Sequence, residues 1–334
     1  MHVILMAVAA LFLASTSHAE QLLRVSSAIG SDVPILGAQT ARFADTFNAS
    51  SSEVVFEPVE PGVLVPAFQT LEAVSDGLAD AGFTLAGYWQ DRLPAAPLFS
   101  AYPFGLSPIE RLAWMDRGDG LDLYQEMYDR AGFNVKILPC GLLPPEISGW
   151  FKKEITSPED LKGLKMRIFG LGGDVMRSLG VEVPPQFNDG LAFALKNGDL
   201  DAVEFSGLAT DIYLGLHEEA PIVYMPGWHQ PSTLFELLVN GDVWGGFDAE
   251  TKALMEQTCR TSLMEGLLYS EEQNMLAREA LLGQGTVEFR EWSPEMLTAF
   301  EDAWHKVVQT HIAADPFFER VWTNIETFRS ENAQ

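Results

Sequence analysis

Two charges interrupt short apolar runs that would otherwise suit buried strands. Residues 164–169 and 200–205 each follow a glycine, Gly163 and Gly198, and each run carries one charge near its far end, Arg167 and Glu204. In a buried parallel strand such a charge costs free energy unless it meets a partner or a ligand. A guanidinium presents a planar fork of donors that grips a carboxylate through two parallel hydrogen bonds, and it stays charged at any physiological pH. Arg167 is therefore the first candidate for binding a small organic anion; the plainer alternative is a surface arginine on an edge strand. Glu146, Glu204 and Gln230 are oxygen donors from three separate segments, each of which alone would pass for a solvated side chain.

The elements that must position these groups alternate between helix and strand, the pattern of an α/β protein. Strands are expected at residues 23–28, 54–58, 79–83, 134–138, 222–225 and 235–240. Helices are expected at 66–75, 107–130, 210–219, 249–282, 294–313 and 316–329. Ser157 and Pro158 followed by acids read as a helix start that Gly163 soon stops. The order helix, glycine, strand at Leu71 to Gly82 recurs at Phe193 to Val203, a spacing of about 120 residues that fits duplicated lobes rather than a solenoid. Ligands in open α/β sheets bind beyond strand ends. Tyr88 and Trp89, just past the first copy's strand, are thus candidates for the cleft, with ordinary packing as the alternative.

The stretch Asp160-Leu161-Lys162-Gly163-Leu164-Lys165-Met166-Arg167, the turn Leu179-Gly180-Val181 and the segment from Ala194 to Ala202 resemble the solute-binding subunit of tripartite ATP-independent periplasmic (TRAP) transporters. Gly149-Trp150-Phe151, Glu204 followed by an aromatic residue, and Pro226-Gly227-Trp228 narrow the resemblance to the subgroup that binds 2-oxo acids. It runs from about Leu23 to Arg329 and implies a two-lobed periplasmic-binding-protein fold (type II-like) with a hinge and C-terminal helices. It also implies that Arg167 binds the substrate carboxylate, and that Glu204, the backbone carbonyl of Phe205, Gln230 and Glu146 surround a cation and substrate, with Tyr88, Trp89 and Trp150 nearby. Relatives carry glutamine where Glu146 stands and glutamate where Gln230 stands, a swap that leaves the number of carboxylates unchanged. Two glutamates and a carboxylate ligand exceed what Arg167 alone can neutralise. All-oxygen ligation points to a hard ion, Na⁺ or Ca²⁺. The alternative is that Glu146 faces solvent or pairs with Lys152, and no ion is needed.

Composition agrees with export and capture. Residues 3–13 form an apolar core too short for the roughly 20 residues of a membrane span, and Ser17-His18-Ala19 is a small-x-small cleavage site, so a mature N-terminus at Glu20 in the periplasm is expected. The remaining 315 of 334 residues exceed the size of a single core. The expected lobes are residues 20–142 plus about 233–275, and 143–232 plus about 276–312, with a C-terminal helix over 313–334. A net charge of −26, from 21 basic and 47 acidic residues, repels nucleic acid and anionic lipid.

Cys140 and Cys259 permit at most one disulfide, and two unpaired buried thiols fit as well. Gly170 to Val175 mimics a dinucleotide fingerprint but has Val175 where a third glycine is required. No nucleophile elbow or zinc-protease motif occurs, no redox cofactor is expected, and His229, the one histidine of its loop, reads as a solvated residue.

The expected function is capture of a small organic carboxylate, a 2-oxo or 2-hydroxy acid, for delivery to TRAP membrane permease subunits, with no chemistry on the ligand. The rivals are an exported hydrolase or isomerase using Glu146 and Glu204, and a ligand sensor for a receptor kinase. Some relatives continue beyond the position of Arg329 into a helix exchanged between subunits; by that comparison a monomer is expected.

Overall fold

Ten strands divide between two five-stranded sheets in the computed structural model, which describes residues 20–185 and 190–332. The expected signal segment, residues 1–19, lies outside the described residues. No helix among them is long and apolar enough to cross a membrane.

The first sheet has the order β2-β1-β3-β9-β4, from β1 (Gln21–Ser27), β2 (Val54–Val59), β3 (Ala81–Thr84), β4 (Val135–Leu143) and β9 (Thr233–Asn240). Around it lie α1 (Leu36–Asn48), α2 (Thr70–Ser75), α3 (Ala96–Ser100), α4 (Pro108–Arg117) and α5 (Gly120–Arg130). The second sheet has the order β10-β8-β5-β7-β6, from β5 (Gly149–Phe151), β6 (Met166–Arg167), β7 (Ala202–Val203), β8 (Ile222–Met225) and β10 (Glu288–Glu291). Its helices are α6 (Gly170–Ser178), α7 (Leu191–Asn197), α8 (Leu208–Tyr213) and α9 (Leu216–Glu219). Next come α10 (Gly241–Gly246), α11 (Ala249–Gln284), α12 (Pro294–Ala314) and α13 (Pro316–Asn332).

The result is a two-lobed α/β fold whose sheets mix parallel and antiparallel pairs. The pseudo-repeat is real in the backbone: Gly77 (φ 76°) and Gly198 (φ 81°) each end a short helix in the left-handed region, which glycine reaches without Cβ strain, and each leads into a strand, β3 or β7.

Several elements differ from expectation. The helix expected over 107–130 is two helices, because Gly118 adopts an extended conformation that stops α4. The start at Ser157 yields only a 3₁₀ turn, Pro158–Leu161, and the helix expected over 210–219 is split at Gly215. β10 was not expected; its sequence, Glu-Phe-Arg-Glu, is too polar to read as a buried strand, and it forms an edge.

Three segments pass between the sheets: residues 144–148, residues 226–232, and α11, whose 36 residues span about 54 Å. The long helix packs against β4 and α1 of the first lobe and α8 of the second. Cys259 on it forms a disulfide with Cys140 on β4, so the alternative of two free thiols is overturned. The pairing was not legible because 119 residues separate the two in sequence. α12 packs on α6, while α13 turns back against α4 and α5, so the C-terminal helices touch both lobes.

Candidate functional site

β6 and β7 lie parallel, with Arg167 opposite Val203, so the residues that follow β7 emerge beside Arg167 at the same sheet end. Glu204 N–H continues the ladder to Arg167 O at 2.8 Å. The two charges read from sequence thereby meet: Arg167 Nη1 donates to Glu204 O at 2.5 Å and to Glu204 Oε2 at 3.3 Å. Phe169 N–H donates to the same Oε2 at 2.9 Å, and the guanidinium lies 5.0 Å over the Phe205 ring.

The segments at 144–148 and 226–232 bring the remaining groups. They run against each other through Gly227 N–H to Glu146 O (2.7 Å) and Glu146 N–H to Gln230 O (3.2 Å). Only glycine permits this approach, since a Cβ at position 227 would stand 2.6 Å from Glu146 O. Gln230 Nε2 then donates to both carboxylates, to Glu146 Oε2 at 3.1 Å and to Glu204 Oε1 at 3.2 Å. Thr233 Oγ1 donates within reach of Glu146 Oε1 (3.0 Å) and Gln230 Oε1 (3.2 Å).

All of this is buried. Glu146 is 5 % exposed and Glu204 is 0 %, which overturns the alternative of a solvent-facing Glu146. Lys152 is engaged elsewhere, donating to Leu195 O. Burial and the neighbouring Glu204 charge push the Glu146 carboxyl well above the carboxylate range. Burial would raise Glu204 too, but the His229 imidazole and Arg167 outweigh it and hold this carboxyl down to about 2. Burial and proximity thus drive the two carboxyls apart, Glu146 toward its neutral form and Glu204 toward its charged one.

His229 departs from the expected solvated loop residue: it is 1 % exposed, with Nε2 3.1 Å from Glu204 Oε1, and among the described residues neither ring nitrogen has a hydrogen-bond partner of good geometry. Ligand atoms of Glu146, Glu204 and His229 all lie within 4.8 Å of one another. Buried carboxylates held together by an amide NH₂, beside an unsatisfied imidazole, fit a hard cation that would let both carboxyls be charged.

A cavity of about 40 Å³ lies between the sheets, lined by Tyr88, Glu146, Arg167, Phe205, Gln230 and Thr233 with an apolar remainder that includes Leu85, Phe169 and Phe235; Glu204 and His229 stand behind this lining rather than in it. A single water needs about 10–15 Å³ on this measure, so the space suits a ligand of only a few heavy atoms. The lobes also touch where Tyr213 OH donates to Asp32 Oδ2 at 2.8 Å and Thr210 Oγ1 to Pro34 O at 2.9 Å.

Two candidates lie elsewhere. Trp89 is fully buried, and its Nε1 donates to Glu236 Oε1 at 3.2 Å, because successive residues of the 3₁₀ turn Ala86–Trp89 diverge and only Tyr88 reaches the cavity. Trp150 is buried under the second sheet, donating to Asp211 Oδ2 at 2.8 Å, and does not line the cavity. Thr233 and Phe235 were missed, although their period-two spacing at the start of a strand beginning three residues after Gln230 was the available signal.

Residues 26–315 match the model of the family described as bacterial extracellular solute-binding protein, family 7. A monocarboxylate 2-oxoacid-binding periplasmic protein of Nostoc sp. is 34% identical over 298 residues, covering 89% of this chain and 80% of that protein. A TRAP periplasmic solute-binding protein from Pseudoalteromonas atlantica, solved with bound sodium and pyruvate, superposes with a TM-score of 0.87 at 26% identity, over 94% of this chain and 95% of the other. One from Colwellia psychrerythraea, solved with calcium and pyruvate, gives 0.88 at 25% identity over the same shares.

Proposed function

This chain belongs to family 7 of the bacterial extracellular solute-binding proteins, and from that premise we propose that it captures a small 2-oxo monocarboxylate in the periplasm, together with Na⁺ or Ca²⁺, for delivery to TRAP permease subunits. The observation that carries the reading is the small cavity between the lobes, with Arg167 in its wall beside a buried two-carboxylate cluster. Arg167, fixed by Glu204 and Phe205, grips the ligand carboxylate. Glu204, Glu146, Gln230 and the Phe205 carbonyl hold the cation, which supplies positive charge to the ligand oxygens. Tyr88, Phe169 and Phe235 enclose the short hydrocarbon end. The family reading and the named ligands of the relatives, pyruvate among them, support this substrate class.

The protein does no chemistry on its ligand in this reading. The lobes close over it by a hinge through residues 144–148 and 226–232, the motion usual for periplasmic binding proteins. Mass spectrometry of ligand released from protein purified without added solute is expected to find a 2-oxo or 2-hydroxy monocarboxylate. Pyruvate incubated overnight with the protein and altered by it would favour the enzyme reading instead.

A further inference from the structure

Phe235 lines the cavity, and strand alternation sends the next residue of β9, Glu236, to the opposite face of the first sheet. There its carboxyl is fully buried among three neutral donors. Trp89 Nε1 reaches Oε1 at 3.2 Å, Tyr124 OH reaches Oε2 at 2.6 Å, and Tyr128 OH lies 2.8 Å from both oxygens. Tyr124 and Tyr128 belong to α5, whereas Trp89 ends the turn that carries Tyr88 into the cavity. The Tyr88 ring packs edge-on to Trp89 at 6.1 Å and to Phe169 at 5.7 Å.

Among the described residues, no other charge faces this carboxyl from the elements around it. Its strand partners on β3 and β4 are Thr84 and Pro139, and the groups from α5 and the turn are the two phenols and the indole. Arg111, a buried cation of the same core on α4, acts on Tyr102 and Tyr124 and spends its hydrogen bonds on Ser232 Oγ (2.7 Å) and Leu98 O (3.2 Å). A buried carboxyl held by neutral donors alone is costly, and ligand capture as described leaves it unused.

We propose that Glu236 is a positioning residue for the ligand cavity: its ionised carboxylate anchors Trp89 and so fixes the turn that presents Tyr88 to the ligand. This rests on the reading of the cavity as the ligand site. An ionised carboxylate only accepts, which matches three donors; once protonated, its new O–H can be taken by a phenol that turns to accept it, but the indole N–H can only donate and is left with a neutral oxygen, a weaker acceptor than a carboxylate. Burial pushes this carboxyl up to about 7 against the pull of the three hydrogen bonds, so the anchored form gains population as pH rises through neutrality.

The test uses the full mature chain, ¹⁵N-labelled and ligand-free, followed by pyruvate titration with Na⁺ or Ca²⁺ present. In the wild type, the Trp89 indole N–H, assigned with Trp89→Phe, and the Tyr88 amide should titrate together near pH 7, and both should stay still in Glu236→Gln. At pH 8 the same variant should bind pyruvate about tenfold more weakly, the loss of roughly one charge-assisted hydrogen bond, with a flattened pH profile. A second variant, Tyr128→Phe, keeps the carboxylate but removes a donor and should move the shared midpoint upward. A Tyr88 amide that neither titrates in the wild type nor moves in either variant would overturn the proposal. Because that readout needs no ligand, it separates this failure from a failure of pyruvate to bind, which would instead count against the functional reading.

Discussion

Arg167 Nη1 lies 2.5 Å from the backbone oxygen of Glu204 and 3.3 Å from its Oε2, so the two charges that interrupt neighbouring apolar strands hold each other at the wall of the ligand cavity. Each makes the other's burial tolerable, and together they leave the cavity with an oriented guanidinium. Removing one strands its partner.

Arg167→Lys keeps the charge but loses the planar fork, and should weaken ligand binding by about 2–3 kcal/mol. Arg167→Ala should do more, because it leaves a buried Glu204 carboxylate without its cation, a loss that costs about 3–5 kcal/mol in fold stability. Calorimetry for affinity and urea denaturation for stability separate the two effects. Near wild-type affinity in the alanine variant would remove Arg167 from the site.

The pH dependence of stability should follow two opposite windows. Glu204, held down to about 2 by His229 and Arg167 against burial, contributes stability present above the unfolded value of 4.5 and lost as pH falls toward 2. Glu236, pushed up to about 7 by burial, contributes stability fully present below 4.5 and lost as pH rises through 7. Glu146 and Asp211, also raised by burial, act in the same direction as Glu236. Urea denaturation at pH 5 and pH 8 should show a fall that Glu236→Gln reduces by on the order of 3 kcal/mol. An equal fall in variant and wild type would refute the assignment.

The disulfide ties β4 of the first sheet to α11, the helix that runs on to the second lobe. Replacing Cys140 and Cys259 by serine should cost about 2–4 kcal/mol of stability, chiefly by freeing a long loop in the unfolded chain. Ligand affinity should change little, since neither cysteine lines the cavity.

Tyr213 and Asp32 join the lobes through one exposed hydrogen bond of 2.8 Å. Tyr213→Phe should weaken ligand binding by about 1 kcal/mol, the net worth of such a bond, and mainly by faster release. Stopped-flow dissociation rates identical to wild type would show that the contact takes no part in closure.

Much of the site was legible because its residues break local rules: Arg167 and Glu204 are charges in apolar runs. The failures have physical causes. Tyr88 and Trp89 are equivalent in sequence, but a 3₁₀ turn aims one at the cavity and the other at Glu236. Trp150 belongs to a short strand whose side chains alternate, and its indole faces Asp211 in the core. His229 looked like a surface residue because burial of a loop depends on the lobe that covers it; Gly172 on α6 lies so near that a Cβ there would stand 3.0 Å from His229 Cβ. The disulfide and the Glu236 cluster both join residues more than one hundred positions apart, a distance over which local pattern carries no information.

The central claim is that carboxylate and cation bind as a unit, and one titration tests it most directly. Pyruvate is titrated into chelator-stripped protein in sodium-free buffer, then again with Na⁺ or Ca²⁺ restored, for the wild type and Glu204→Gln. Restoring the cation should raise wild-type affinity by about 5–150-fold, the usual range for coupled sites, and the variant should lose most of that gain. Equal affinity in every buffer, with Glu204→Gln binding as tightly as the wild type, would contradict the account.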